Sequence, residues 1–344
     1  MHITNMSYEE GAIGLDRVEL LHGDGGKYTS QLIKEVFYDS YGNSILLEDS
    51  DSAVIKLQGE SMAFTTDSFT VKPIFFRGGD IGKLAICGTI NDLTVSGAIP
   101  LYLSVGFIIE EGFPISQLKN IALSMRNVCK ETNVKIVTGD TKVVEKGSAE
   151  GIFINTSGVG IINGFKAKEI KDGDHIIITG TIAEHGTAVA VDRYNLNVKG
   201  DIKSDCFPLC TLLPCLDKYK DKIKLMKDPT RGGIGEVLNE IAIKSGFGVH
   251  LFESKIPITK EVKWVNEMLG LDPLYLASEG RMLIVVENIV SKYIISDLKK
   301  TCNCNNASVI GVFTKECEFV YTENLLGGKR ILNPLDYHML PRIC

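Results

Sequence analysis

The chain has no surplus of positive charge: Lys and Arg total 37 against 43 Asp and Glu, a formal net charge of -6. With no basic excess to displace counterions, nucleic-acid binding is not expected. No uninterrupted apolar stretch reaches the roughly 20 residues that a membrane span needs. The opening Met1-His2-Ile3-Thr4-Asn5-Met6 has neither a positive region nor an apolar core, so no signal peptide is expected there. Nine cysteines are an odd count, scattered without framework spacing. That suits free thiols in a reducing cytoplasm rather than a disulfide scaffold. Neither Cys302-Asn303-Cys304 nor the set Cys206, Cys210 and Cys215 has CxxC spacing or a histidine at the usual distance, so no structural metal is expected there. Repeats and low-complexity segments are also missing.

What is present is a chain of 344 residues with 44% hydrophobic and 23% charged side chains, soluble and globular in composition and long enough for two domains. Residues 1–40 are polar and glycine-rich. Strands are expected at 44–47, 53–57, 61–66, 102–109, 134–137 and 151–162. Asp80 is a good N-cap for a long helix to about Gly97, with Ile81, Leu84, Ala85 and Gly88 on one stripe. A second helix fits 115–131. A new unit begins near Asp172-Gly173-Asp174, with strands at 175–179, 248–252, 282–286, 308–312 and 318–321 and helices at 183–194, 232–244, 259–269 and 289–299. Leu325-Leu326-Gly327-Gly328 breaks the pattern before a tail. The reading is an α+β protein: a glycine-rich segment 1–40, a first domain 41–165, a second 172–328, and a mobile tail 329–344.

Three acidic points stand beside turns or element ends: Asp67 after a strand, Asn91-Asp92 within the long helix, and Asp140 ending the strand 136–139. Thr65-Thr66-Asp67-Ser68 and Thr138-Gly139-Asp140-Thr141 share a pattern, a strand delivering Asp among hydroxyls. Converging carboxylates of this kind suit Mg²⁺, which keeps sites open for phosphate. Asp51 is a weaker fourth candidate. The cluster His22-Gly23-Asp24-Gly25-Gly26-Lys27 can turn backbone N–H groups toward an anion, although it is not a Walker A loop and does not follow a strand. A plain flexible turn explains it equally well. Asp228-Pro229-Thr230-Arg231-Gly232-Gly233 opens a helix where Arg231 could clamp a phosphate or pair structurally with Asp228. Lys142 follows Asp140, and Glu279 lies in a glycine turn before a strand. The final Pro341-Arg342-Ile343-Cys344 places a thiol on the last residue, where a core gains nothing from it.

These segments together resemble the HypE family of hydrogenase-maturation proteins, the carbamoyl dehydratases of the PurM-like, AIR synthetase-related superfamily. The likeness runs from Phe64–Ser68 through Phe75–Leu84, Asn91–Leu93 and Ser96–Pro100. It continues in Thr138–Val144, Asp228–Gly233, Ala277–Gly280 and the terminal Pro-Arg-Ile-Cys. The terminal tetrapeptide separates this family from its superfamily relatives.

The resemblance implies a two-domain PurM-like fold whose N-terminal domains pair into a dimeric β-barrel, with ATP near that interface. It implies that Asp51, Asp67, Asp92 and Asp140 hold Mg²⁺ and the phosphates, that Asn91 and Arg231 contribute to the nucleotide site, and that Gly23, Gly25, Gly26 and Lys27 close over it. It further implies that a carbamoyltransferase, HypF, loads a carbamoyl group onto Cys344. The protein then dehydrates that group to a thiocyanate with ATP, and the cyanide passes to iron on a HypC–HypD complex. Glu279 is the expected base, and Lys142 is expected to hold the tail's carboxylate or the carbamoyl oxygen. A tail from Gly328 could reach about 53 Å at roughly 3.3 Å per residue. The nearest rival is another PurM-like enzyme using ATP on a free small molecule, such as aminoimidazole ribonucleotide synthetase, whose substrate would leave Cys344 without a purpose, or selenophosphate synthetase, which carries a reactive Cys or selenocysteine near its N-terminus. Here the first cysteine is Cys87, inside a helix. A non-catalytic carrier is the alternative of another class; it would need the thiol without the acidic cluster.

Overall fold

The computed structural model describes residues 27, 30, 31, 34, 46–48, 53–57 and 60–344, apart from 302, 337 and 338. The glycines 23, 25 and 26, Asp51 and most of the glycine-rich segment 1–40 lie outside these residues. So does the start of the strand expected at 44–47, of which residues 46 and 47 fall in a 3-10 turn, Leu46–Glu48.

The first domain is a five-stranded sheet, β1 (Ala53–Leu57), β2 (Glu60–Phe69), β5 (Ala98–Glu110), β6 (Lys135–Val144) and β7 (Ile152–Ile162), with a short hairpin of β3 (Phe75–Phe76) and β4 (Gly79–Asp80). The order is β1-β2-β7-β5-β6. Only β5 and β6 run parallel, and the crossover between them is α2 (Ile115–Thr132). Helix α1 (Ile81–Val95) begins where Asp80 accepts from the N–H groups of Gly82 and Lys83, as its capping chemistry predicts. The single stripe expected on this helix is too little. Thirteen of its fifteen residues are buried, because α1 lies between the sheet, α2 and the second domain. A helix apolar all round belongs in a core, and truncating a fully buried Leu84 there costs about 2–5 kcal/mol.

The second domain is a seven-stranded sheet ordered β14-β13-β10-β12-β8-β11-β9. Its strands are β8 (His175–Ile178), β9 (Ile223–Lys227), β10 (Gly248–Phe252), β11 (Leu283–Val286), β12 (Ser308–Thr314), β13 (Val320–Glu323) and β14 (Lys329–Leu332). Its longer helices are α3 (Glu184–Arg193), α4 (Gly233–Ser245), α5 (Lys260–Leu269) and α6 (Asn288–Leu298). Strands β8 and β11 are continuous aliphatic runs because both faces are covered. Ile176, Ile178, Leu283 and Val285 enter one core, while Ile177, Ile284 and Val286 enter the other with Ile294 and Leu298 of α6. The first of these cores also contains Phe69, Leu84 and Ile86, so the two domains share one hydrophobic interior.

The tail starts later than expected. Residues 329–332 pair with β13 as an edge strand. The segment beyond them is held against the protein: Asn333 O accepts from the Tyr275 hydroxyl at 2.7 Å, and Leu335 N–H donates to Glu236 at 2.9 Å. Leu340 and Ile343 are buried.

Candidate active site

Helix α1 faces one side of the first sheet, and Asp67 points to that side. Its Oδ2 lies 3.7 Å from where a Cβ on Gly88 of α1 would stand. Burial raises the Asp67 carboxyl above its ordinary range, opposed by Arg231 and by a hydrogen bond from Ser68 N–H. One turn of α1 brings Asp92 to the same place, where it accepts from the Thr65 hydroxyl at 2.8 Å.

The second domain supplies two loops. One is Asp228–Gly232, between β9 and α4, and the other is Ala277–Gly280, before β11. They are tied together by Ser278 N–H donating to Pro229 O at 2.9 Å. Gly233 has φ +58°, and a Cβ there would press on the carbonyls of Leu274 and Leu276 at 2.7 and 2.6 Å, so this approach requires glycine. Gly280 is tighter still, since its Cβ would stand 1.9 Å from Asp205 O. That contact places Glu279 in the interior, 2% exposed, with its Oε1 lacking a hydrogen-bond partner. Burial pushes the Glu279 carboxyl well above the usual range, helped by Cys206, Asp228, Asp205 and Asp67.

Cys344 completes the group. Part of its surface reaches solvent, yet protein surrounds it on most sides, and this pushes its thiol up to about 12, against the pull of Arg231 and with the push of Glu279, Asp67 and Asp228. Arg231, although solvent reaches its side chain, holds its proton more firmly than usual, through Cys344 first and then through Asp67, Glu279 and Asp92. Thiol, guanidinium and carboxylates therefore occupy one pocket.

The tail is held there by its main chain. Thr70 N–H donates to Cys344 O at 3.3 Å and Lys72 N–H to Arg342 O at 3.1 Å, extending the line of β2. Arg193, at the end of α3, donates to Pro341 O and Arg342 O, each at 2.7 Å, and to Lys72 O at 2.9 Å. His185 Nε2 donates to Ile343 O at 2.5 Å. The Arg342 side chain turns outward to an ion pair with Glu150. Sequence reasoning missed His185, Arg193 and Thr70, because their partners lie on a tail far away along the chain. Asp228 was seen only as a structural partner for Arg231.

Other expected site residues lie elsewhere. All the polar atoms of Asn91 are spent within the protein: Nδ2 donates to Phe207 O at 3.1 Å and Glu279 O at 3.0 Å, and Oδ1 accepts from Leu209 N–H at 2.7 Å. It fastens the second-domain loops to α1. Asp140 does not end a strand but lies within β6, and it does not join Asp67 in one chain. In register, Asp67 pairs with Thr156, Thr156 with Val105, and Val105 with Gly139. Three inter-strand steps of roughly 4.8 Å separate the two positions by about 14 Å. Asp140 also pairs with Gly106, one residue on, and so belongs to the opposite face. There it forms an exposed ion pair with Lys142 at 2.9 Å. Lys27 is exposed. Among the described residues, no three His, Cys, Asp or Glu side chains are close enough to cage a metal by themselves.

That opposite face carries Phe64, Ile99, Tyr102, Ile108 and Ile161, each between 36% and 46% exposed. An exposed apolar sheet face of this kind marks an interaction surface. A cavity of about 540 Å³ opens between α2 and the β5–β6 edge, lined by Val105, Phe107, Met125, Arg126, Thr138 and Asp140 among others.

Residues 49–162 match the family described as AIR synthase related protein, N-terminal domain, and residues 171–323 match the corresponding C-terminal domain. A carbamoyl dehydratase HypE from Bradyrhizobium diazoefficiens is 41% identical over 332 residues, covering 95% of this chain and 96% of the relative. The chain belongs to the HypE family. Two solved HypE-family structures are similar in fold. One, a HypE–HypF complex, has a TM-score of 0.84 at 45% identity, covering 88% of this chain and 99% of that one. The other, HypE with ATP, has a TM-score of 0.79 at 38% identity, covering 94% and 99%. The two-domain architecture read from the sequence is therefore that of HypE-family and AIR synthase-related proteins. No helix among the described residues is long and apolar enough to cross a membrane.

Proposed function

We propose that the protein is an ATP-dependent carbamoyl dehydratase acting on an S-carboxamide carried by Cys344, yielding the thiocyanate that supplies cyanide for a hydrogenase iron site. The observation that carries this reading is the seating of Cys344 beside Asp67, Arg231 and Glu279. The carbamoyl dehydratase activity of its relative, and the solved complexes of HypE with HypF and with ATP, support the reaction class and the partner.

The chemistry needs a poor leaving group, the amide oxygen, made into a good one. The carbamoyl oxygen attacks the terminal phosphorus of ATP, and ADP departs. The nitrogen loses a proton to give an O-phosphoryl imidate. Loss of the second N–H proton then breaks the C–O bond, releasing phosphate and leaving S–C≡N. Glu279 is the base. A carboxyl raised by burial is a stronger base than a solvated one, and its Oε1 is free of other hydrogen bonds. Arg231 neutralises charge that develops on the transferred phosphoryl group.

The donor set fits Mg²⁺ in part. Asp67 and Asp92 offer hard oxygen ligands at one place, and Mg²⁺ characteristically takes one or two carboxylates, with phosphate oxygens and water completing its shell. When bound, it would neutralise phosphate charge. We assign it to Asp67 and Asp92. Asp140 and Lys142 act instead at the paired face of a homodimer, where the apolar row from Phe64 to Ile161 is covered by a second copy. The cavity beside Asp140 is of a size for a nucleoside.

The free thiol is a poor nucleophile while docked, with its pKa near 12. Loading by HypF therefore takes place with the tail released, and transfer to HypC–HypD requires a second release. Free thiols and ATP use fit a reducing cytoplasm.

Intact-mass spectrometry with HypF and its carbamoyl donor tests the reading. Cys344 should gain about 43 Da, then lose about 18 Da on adding Mg-ATP, as carbamoyl transfer and removal of water require. Cys344→Ala should abolish both changes. Asp92→Asn should be loaded but not dehydrated; normal dehydration by that variant would remove Asp92 from the reaction, and loading of the wild type with no dehydration under Mg-ATP would leave only a carrier.

A further inference from the structure

We propose that the pocket is a receptor for the main chain of a cysteine-ending peptide, so that a separate peptide can occupy it and be processed in place of the protein's own tail. This rests on the dehydratase reading for its chemistry, but its binding claim stands apart from it. Three consecutive carbonyls, those of Pro341, Arg342 and Ile343, and an oxygen of the Cys344 carboxylate each accept a hydrogen bond from the body of the protein. Their donors are the Arg193 fork, the His185 ring and the backbone N–H groups of Lys72 and Thr70. The pairing of residue 70 with 344 and of 72 with 342 is that of an antiparallel strand added to the end of β2, a mode in which main-chain bonds supply affinity.

Three side chains contribute. Leu340 and Ile343, 2% and 4% exposed, are the apolar anchors, and Cys344 carries the reacting sulfur. Arg342 points away to Glu150, and its φ of +58° is one that glycine adopts without strain. Arg193 and His185 are thus positioning residues. They fix the register that brings the sulfur to Arg231 and Glu279, and they touch no reacting atom. The covalent tether adds effective concentration but no contact of its own.

The test uses the full chain with Ile343→Glu, whose carboxylate cannot stay in the buried anchor site and so ejects the native tail. A fluorescein-labelled peptide, His-Met-Leu-Pro-Arg-Ile-Cys with its sulfur carbamoylated, is titrated by anisotropy. We expect saturable binding, unchanged within about threefold when glycine replaces the peptide's arginine. Adding Arg193→Ala should weaken it roughly ten- to hundredfold, the loss of charge-assisted hydrogen bonds, with partial recovery for Arg193→Lys. With Mg-ATP the bound peptide should lose about 18 Da. Binding without that loss would count against the dehydratase reading and leave the receptor intact. Failure of a folded Ile343→Glu protein to bind, while wild type dehydrates its own tail, would overturn the receptor. Should Ile343→Glu not fold, excess peptide added to wild type must speed iodoacetamide labelling of Cys344 by displacing the tail; no acceleration also overturns it.

Discussion

His185 Nε2 donates to the carbonyl of Ile343 at 2.5 Å from a ring with no exposure to solvent. Since Nε2 carries the proton, Nδ1 is the acceptor from the Ser204 hydroxyl, at 2.8 Å. Burial lowers this imidazole to about 4. The unfolded chain therefore takes up a proton near pH 6.5, before the native protein does. The contribution of neutral His185 is complete above about 6.5 and is lost as pH falls toward 4. Thermal midpoints should drop over that window more in wild type than in His185→Gln, which keeps a donor but does not titrate.

The Cys344 thiol has the opposite sign. Its docked value near 12 lies above that of a free thiol, so docking is fully favoured below about pH 8.5 and weakens as pH rises from there toward 12. In a pH series of iodoacetamide labelling, the wild-type midpoint should lie well above that of Arg193→Ala. The variant's tail is released, and its thiol should titrate near the ordinary value.

Glu279 is a buried carboxyl raised well above its usual range. Its ionisation penalises the fold as pH rises past about 4.5. Glu279→Gln should abolish dehydration, leave loading of Cys344 intact, and raise the thermal midpoint at pH 8. That gain should shrink to nothing near pH 4.5. A variant that still dehydrates, or is less stable at pH 8, contradicts the assignment.

Asn91→Ala leaves Phe207 O, Glu279 O and Leu209 N–H without their partner. We expect a loss of about 2–4 kcal/mol in urea unfolding, since stranded buried polar groups cost about 1–3 kcal/mol each. Nucleotide binding should follow stability rather than fall independently.

Tyr102→Glu places a charge in the apolar row of the first sheet, where Tyr102 is 46% exposed in the single chain. Light scattering should show a monomer with little change in thermal midpoint. A dimer that survives this change would put the interface elsewhere.

Helix α1 was legible because its signals are local: Asp80 caps it and hydrophobic spacing carries it. Buried strands β8 and β11 were legible as aliphatic runs. Strand β6 was cut short after residue 137 because it is an edge strand, exposed along nearly all its length, and such a strand has no alternation for burial to impose. Strand β9, Ile-Lys-Leu-Met-Lys, was missed, being an edge strand of mixed character. In the site, Asp67, Asp92, Arg231, Glu279 and Cys344 were named from their motifs. Their company was not legible, and Asp140 was grouped with Asp67 because two similar tetrapeptides suggested one site.

Local order along the chain determined its elements, its family and the chemical types at its disposal, since capping, periodicity and short motifs act over a few residues. Tertiary structure alone decided which of those groups meet. Sheet order and strand face send Asp67 inward and Asp140 to the far side. Chain contacts spanning more than 150 residues close His185 onto Ile343, and no local pattern encodes a hydrogen bond between segments that distance brings together only on folding.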